Sequence, residues 1–408
     1  MSPEALASLE SGLLRAVKAM MGEIDRATVQ VTRAASEREE KQGNRVLTVL
    51  QLRADALFKT LDLYHDAIST RADAEIGLLL AGTDRLLAAA MKRPVPGFTP
   101  PSAVSYLDSG GRGGAITRAR TRLPGGIVLP VALVRVSPES LPTRLTSSLH
   151  EVGHQLAVDL NLLDEARDVI TRSAFTVLRN PADAALWGSW TGELVPDAFA
   201  VGLGGGAPAV DGLQRVLSVP VPFAYVIAEG DPHPPGAVRV PFAVALSRVV
   251  FSDPSLDLLW QRFDALYGNP GIPVAVRSRV QRLAAAACQV AKSLARHRFR
   301  GLGGETLAAI CETRTVDPTL VRQLIDEPRA LRPARLALRS PLLALAMIGR
   351  ARLLGHLGAA AHDRVSRAWL AELARTGAST SAAASVAYLV RPARADGRAH
   401  YQTERIPA

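Results

Sequence analysis

His150-Glu151-Val152-Gly153-His154 constrains the fold more than any other stretch of this 408-residue chain. On a helix, residues four apart lie one above the other, so the two imidazoles reach a common point. Leu145, Leu149, Val152 and Leu156 recur at helical spacing and form an apolar stripe. Such a helix must bury that stripe while the two rings stay clear of it. Paired imidazoles with an acid between them suit a divalent metal, with Glu151 free to hold a water on that metal. In a chain of this composition the pattern arises by chance in roughly one case in a hundred.

A catalytic zinc takes three protein ligands and keeps one position open. The stretch from Trp187 to Ala200 offers the third, because Glu193 and Asp197 are four residues apart and share a helix face. The expected ligand set is His150, His154 and Glu193. Asp197 is expected to accept the free ring N–H of a ligand histidine. Pro196, between the two acids, removes one backbone hydrogen bond and predicts a kink.

H-E-x-x-H followed downstream by E-x-x-x-D resembles the gluzincin branch of zinc metallopeptidases, whose familiar members include the thermolysin-like and the membrane-associated CAAX-processing types. The matching residues are His150, Glu151, His154, Glu193 and Asp197, within roughly residues 126–200. The resemblance implies a zincin core in which a small sheet lies above the metal helix and its edge strand binds extended substrate. Gly126–Val136 stands where that edge strand is expected, and its internal Pro130 also favours an edge. Gluzincins commonly stabilise the oxyanion with a downstream His or Tyr, which makes His233 and Tyr225 the candidates. His233 follows Asp231 in a proline-stiffened loop, and Arg239 shortly after is either a peptide-binding cation or half of a surface ion pair. The metzincin extension is absent, since His154 is followed by Gln155-Leu156-Ala157-Val158.

The rest of the chain frames this core. Proline is absent between Pro3 and Pro94, and leucines recur at helical spacing there, interrupted by a polar stretch at Ser36–Asn44. The predicted organisation is a helical hairpin or arm over residues 1–94, a zincin-like core over 95–300, a helical region over 301–388 and a loose tail over 389–408. Strands are expected at Ala103–Leu107, Ala115–Leu123 and Gly126–Val136, and single helices at Ala182–Ala200 and Val274–Arg296. The glycine-rich Ser109–Gly114 lacks the Gly-Lys-Ser/Thr of a phosphate loop. The fold class is therefore α+β, predominantly helical, with a small mixed sheet.

Basic residues exceed acidic ones by 48 to 38, but only five of the 48 are lysine, a skew that reads as coding bias. The densest basic patch, Arg296–Arg300, comes without a recognition helix or stacking aromatics, so no specific nucleic-acid partner is expected. Cys288 and Cys311 are too few to staple a domain or to build a four-cysteine zinc site, and both read as small core residues. No stretch approaches the twenty or so apolar residues of a membrane span, and the opening segment carries acid where a secretory leader would be basic. The expectation is a cytoplasmic, zinc-dependent metallopeptidase acting on a peptide or protein, with the N-terminal helices available to a protein partner. The alternative is a zincin-fold binding or structural protein without turnover.

Overall fold

A computed structural model describes residues 3–378, apart from 109–114, 121, 123–127, 129–130, 138–144, 217–219, 229, 252, 254, 269–270 and 312. The glycine-rich segment, the end of the C-terminal helical region and the tail lie outside the described residues.

Helices α1 (Pro3–Thr32) and α2 (Glu37–Ser69) form a hairpin. The break falls at Ser36, whose side chain accepts the Glu39 N–H as an N-cap, while Glu39 reaches back to the Ala35 N–H. The polar residues that follow are therefore the first turns of α2 rather than an interruption. α3 (Ala74–Met91) starts at the Asp73 cap and behaves differently from the hairpin. Its Leu79, Leu86, Leu87, Ala90 and Met91 belong to the main core, whereas α1 and α2 share a smaller cluster with one face of the sheet.

Three strands make the sheet: β1 (Ser102–Leu107), β2 (Ala115–Thr117) and β3 (Val131–Val136), in the order β1-β3-β2. β1 runs parallel to β3 from Ser102↔Val131 to Leu107↔Val136. β2 runs antiparallel to β3, with Ala115 opposite Arg135 and Thr117 opposite Leu133. Side chains alternate: Ala132, Val134 and Val136 face the main core, while Val131 and Leu133 face the hairpin. Tyr64 of α2 ties the two layers by donating to the Val131 carbonyl at 3.1 Å.

This order overturns the expected edge position of Gly126–Val136. The described strand runs from Val131 to Val136 and occupies the centre of the sheet, while Pro130 lies outside the described residues. The continuous apolar run Val131-Ala132-Leu133-Val134 is the pattern of a strand buried on both faces. The edges are β1 and β2, and β2 is shorter than the expected Ala115–Leu123.

α4 (Leu145–Asp159) crosses beneath β2 and β3, followed by α5 (Leu163–Leu178), α6 (Pro181–Ser189), α7 (Thr191–Gly204) and α8 (Ala207–Val216). The single helix expected over Ala182–Ala200 is thus two, parted at Trp190. α9 (Gly236–Val250) runs through Pro241. α10 (Ser255–Tyr267), α11 (Val274–Ala284) and α12 (Ala287–Arg296) follow, the last two replacing one expected helix. Cys311 is buried as expected, but Cys288 on α12 is exposed. The helix Ala359–Ala378 closes on α3: a Cβ on Gly82 would fall 2.2 Å from the Leu370 carbonyl oxygen, and Arg85 donates to the Leu373 carbonyl at 2.6 Å. No described helix is long and apolar enough to cross a membrane. The result is a predominantly helical α+β fold around one small mixed sheet.

Candidate metal centre

Helix α7 packs against both α4 and α9, and the side chains that carry the chemistry come from these three helices. Asn180 caps α6 by accepting the Ala182 and Asp183 N–H groups, with Pro181 at the first helical position. The chain then turns at Trp190 and starts α7, which places Glu193 in its first turn. Gly153 sits where α4 meets α7, and a Cβ there would lie 2.6 Å from the Pro196 Cα. The glycine between the two histidines is what lets the helices approach, and α7 continues through Pro196 to Gly204.

The approach brings three donors together. The Nε2 atoms of His150 and His154 are 3.1 Å apart. His150 Nε2 lies 3.3 Å from Glu193 Oε2, and His154 Nε2 lies 3.6 Å from Glu193 Oε1. Bonds of about 2.0–2.1 Å in tetrahedral geometry put neighbouring ligand atoms about 3.3 Å apart. The His150–His154 and His150–Glu193 distances are near that spacing, His154 faces the other Glu193 oxygen, and one donor atom from each residue lies within 4.8 Å of the other two, so the cluster fits a divalent metal such as zinc.

Around it stands a charged frame. Asp197 Oδ1 is 2.8 Å from His150 Nδ1. A hydrogen bond there leaves the Nε2 lone pair directed at the other donors. The Arg239 guanidinium, on α9, donates to Asp197 through Nε at 2.7 Å and Nη2 at 2.9 Å. The same Nη2 lies 3.1 Å from Glu193 Oε2 and 3.2 Å from His150 Nε2. Of the two readings of Arg239, the structure has an ion pair, but one that is buried and in contact with the cluster rather than at the surface. The sequence signal was available: Ala237, Val238, Val240 and Phe242 surround Arg239 with buried apolar neighbours, so its charge had to be met inside.

In the metal-free protein these charges set the titrations. Burial opposes the charged form of His150, but Asp197 and Glu193 outweigh it and raise its pKa to about 9. Burial and the neighbouring His150 charge lower His154 to about 4. Burial works against the Glu193 and Asp197 carboxylates, yet His150 and Arg239 hold both below the ordinary carboxylate range. Glu151 is pushed upward by burial.

A cavity of about 420 Å³ opens over the cluster. Glu151 lines it along with both histidines, and Ala200, Val201, Ala209 and Leu213 give it an apolar side. Ala115, the first residue of β2, lines it as well. His233 reaches the cavity from its loop, with Nε2 3.5 Å from Glu193 Oε1 and Nδ1 2.7 Å from Asp231 Oδ1. Its side chain is 58% exposed, which leaves Nε2 open to a ligand. Tyr225 is not brought there: its hydroxyl is buried and donates to the Tyr267 carbonyl at 2.5 Å. Gly153 and Gln155, both within α4, have positions that motif reading leaves unassigned. Comparison with family models, with curated proteins and with solved structures yields no match.

Proposed function

We propose that the chain is a zinc-dependent metallopeptidase, with His150, His154 and Glu193 holding the metal. The reading rests on one observation: three donors at ligand-to-ligand spacing beside the buried Glu151 carboxylate, at the floor of an open cavity. Bound there, zinc supplies Lewis-acid polarisation of a carbonyl and an acidified water. Glu151 takes the water proton as the oxygen adds to the scissile carbonyl, and returns it to the amine as the C–N bond breaks. His233, oriented by Asp231, donates from Nε2 to the developing oxyanion. The outer edge of β2 has no partner strand among the described residues, which suits the addition of an extended peptide. The apolar side of the cavity gives room to one aliphatic substrate side chain.

Glu151→Gln keeps size and hydrogen bonding and removes only the base. The variant is expected to retain one zinc per chain and to lose roughly 10²–10⁴-fold in cleavage of a peptide library followed by mass spectrometry. His233→Ala is expected to cost about 10²–10³-fold, again with zinc in place. Equal cleavage by wild type and Glu151→Gln rejects the mechanism. Zinc held by both proteins without cleavage by either assigns the fold to binding rather than turnover.

A further inference from the structure

Gln155, the residue after the second histidine, has a fully buried amide that takes no part in the metal cluster. Its Oε1 accepts the buried backbone N–H of Ala119 at 2.9 Å, two residues past the end of β2. Its Nε2 donates to Asp159 Oδ2 at 3.0 Å, one turn further along α4. The Asp159 side chain is only 2% exposed, and its other oxygen lies 3.4 Å from Arg120 Nη1. Arg120 has a φ of 66°, in the left-handed region that a non-glycine residue keeps only where its surroundings hold it. The second half of α4 therefore holds the segment leaving β2 at two consecutive residues, by the Ala119 backbone N–H and by the Arg120 side chain.

That grip matters because β2 has little of its own. It is three residues long and bonded to β3 on one side only, while its first residue lines the cavity. One helix thus presents both histidines and also fixes the strand that stands across the cavity from them.

We infer that Gln155 is a positioning residue: its amide sets the gap between the β2 edge and the metal cluster, and so how tightly an extended peptide is held, independently of how tightly metal is held. The inference rests on the metallopeptidase reading. Its test uses the zinc-loaded full chain and two inhibitors. Acetohydroxamate is small enough to engage the metal alone, whereas a peptidyl hydroxamate also lies along a strand edge. Displacements of about 1 Å cost about 10²-fold in oriented complexes. Gln155→Met is accordingly expected to weaken the peptidyl hydroxamate by about 10–100-fold, with acetohydroxamate affinity and zinc content unchanged. Asp159→Ala, which loosens the grip without orphaning the Ala119 N–H, is expected to move affinity in the same direction by a smaller factor, and it carries the test if Gln155→Met does not fold. Gln155→Glu combined with Asp159→Asn restores a complementary acceptor and donor and is expected to recover peptidyl binding. Equal loss for both inhibitors, or loss for neither, overturns the inference alone. A wild-type protein that holds zinc but binds neither inhibitor overturns the metallopeptidase reading and this inference together.

Discussion

Asp197 serves two partners at once. One oxygen faces the His150 ring, and both oxygens meet the Arg239 guanidinium. Asp197 and Glu193 raise the His150 pKa, so a metal arriving at neutral pH displaces a proton from it. Asp197→Asn keeps an oxygen for the ring but gives up the charge that stabilises a cation there, a divalent metal more than a proton. The expected result is a 10–100-fold weaker zinc affinity in a chelator competition, typical of losing a partner behind a ligand histidine. At this scale the sequence was informative where spacing alone decides: residues four apart share a helix face, and that places His150 over His154 and Glu193 over Asp197 whatever the tertiary fold. It was silent on Arg239 as a contact of the cluster, because its place is set by how α9 meets α7, about forty residues away in sequence. Local context favoured His233, in a proline-stiffened loop beside Asp231, over Tyr225 in an apolar run; the partner that buries the Tyr225 hydroxyl, the Tyr267 carbonyl, comes from α10.

Between elements, α4 and α7 meet closely at Gly153 against Pro196. Alanine at 153 gains about 0.8–1.0 kcal/mol in helix propensity. Against this, its Cβ meets backbone that cannot rotate away, and overpacking of this kind costs about 1–3 kcal/mol. The clash wins, and α4 and α7 must separate to relieve it. Gly153→Ala is therefore expected to lower the urea midpoint and to weaken zinc binding together, since the histidines and Glu193 lie on opposite sides of that contact. A lowered midpoint with unchanged zinc affinity would show that the two helices are not positioned by it. The helices of the site were legible from apolar periodicity, though not the turn at Trp190. The sheet was less so. Pro130 pointed to an edge, but the strand Val131–Val136 is central, and a run buried on both faces by the hairpin and the main core reads the same locally wherever it lies.

At the scale of the molecule, a buried ion pair that does not line the cavity joins distant parts of the chain. Arg350 donates to Asp253 at 2.7 and 2.6 Å and to Ser255 Oγ at 2.8 Å. Burial opposes the Asp253 charge, but the arginine holds its pKa below the ordinary carboxylate range. A group depressed in this way stabilises the fold above its unfolded pKa of about 4, and that contribution is lost as pH falls through the lower folded value. Arg350→Met strands the carboxylate and is expected to cost about 3–5 kcal/mol at pH 7. Urea unfolding at pH 7 and at pH 3.5 should show the difference from wild type shrinking at the lower pH, as Asp253 takes up a proton. A constant difference would mean that Arg350 acts through its packing rather than its charge.

The contact of α3 with the helix Ala359–Ala378 also has a consequence in time. Arg85 and the Leu373 carbonyl that it holds are 288 residues apart. At about 5–20 residues per second, a ribosome needs about 15–60 s to make the second after the first. Throughout that interval the apolar face of α3 lacks its final cover, although the hairpin before it is complete. Stalled nascent chains ending before Ala359 are expected to be cut by protease within α3 and spared within α1 and α2, while chains extended past Ala378 resist throughout. The core that carries the metal ligands is thus closed over α3 by a helix made 288 residues later, and the cell must shelter α3 until it arrives.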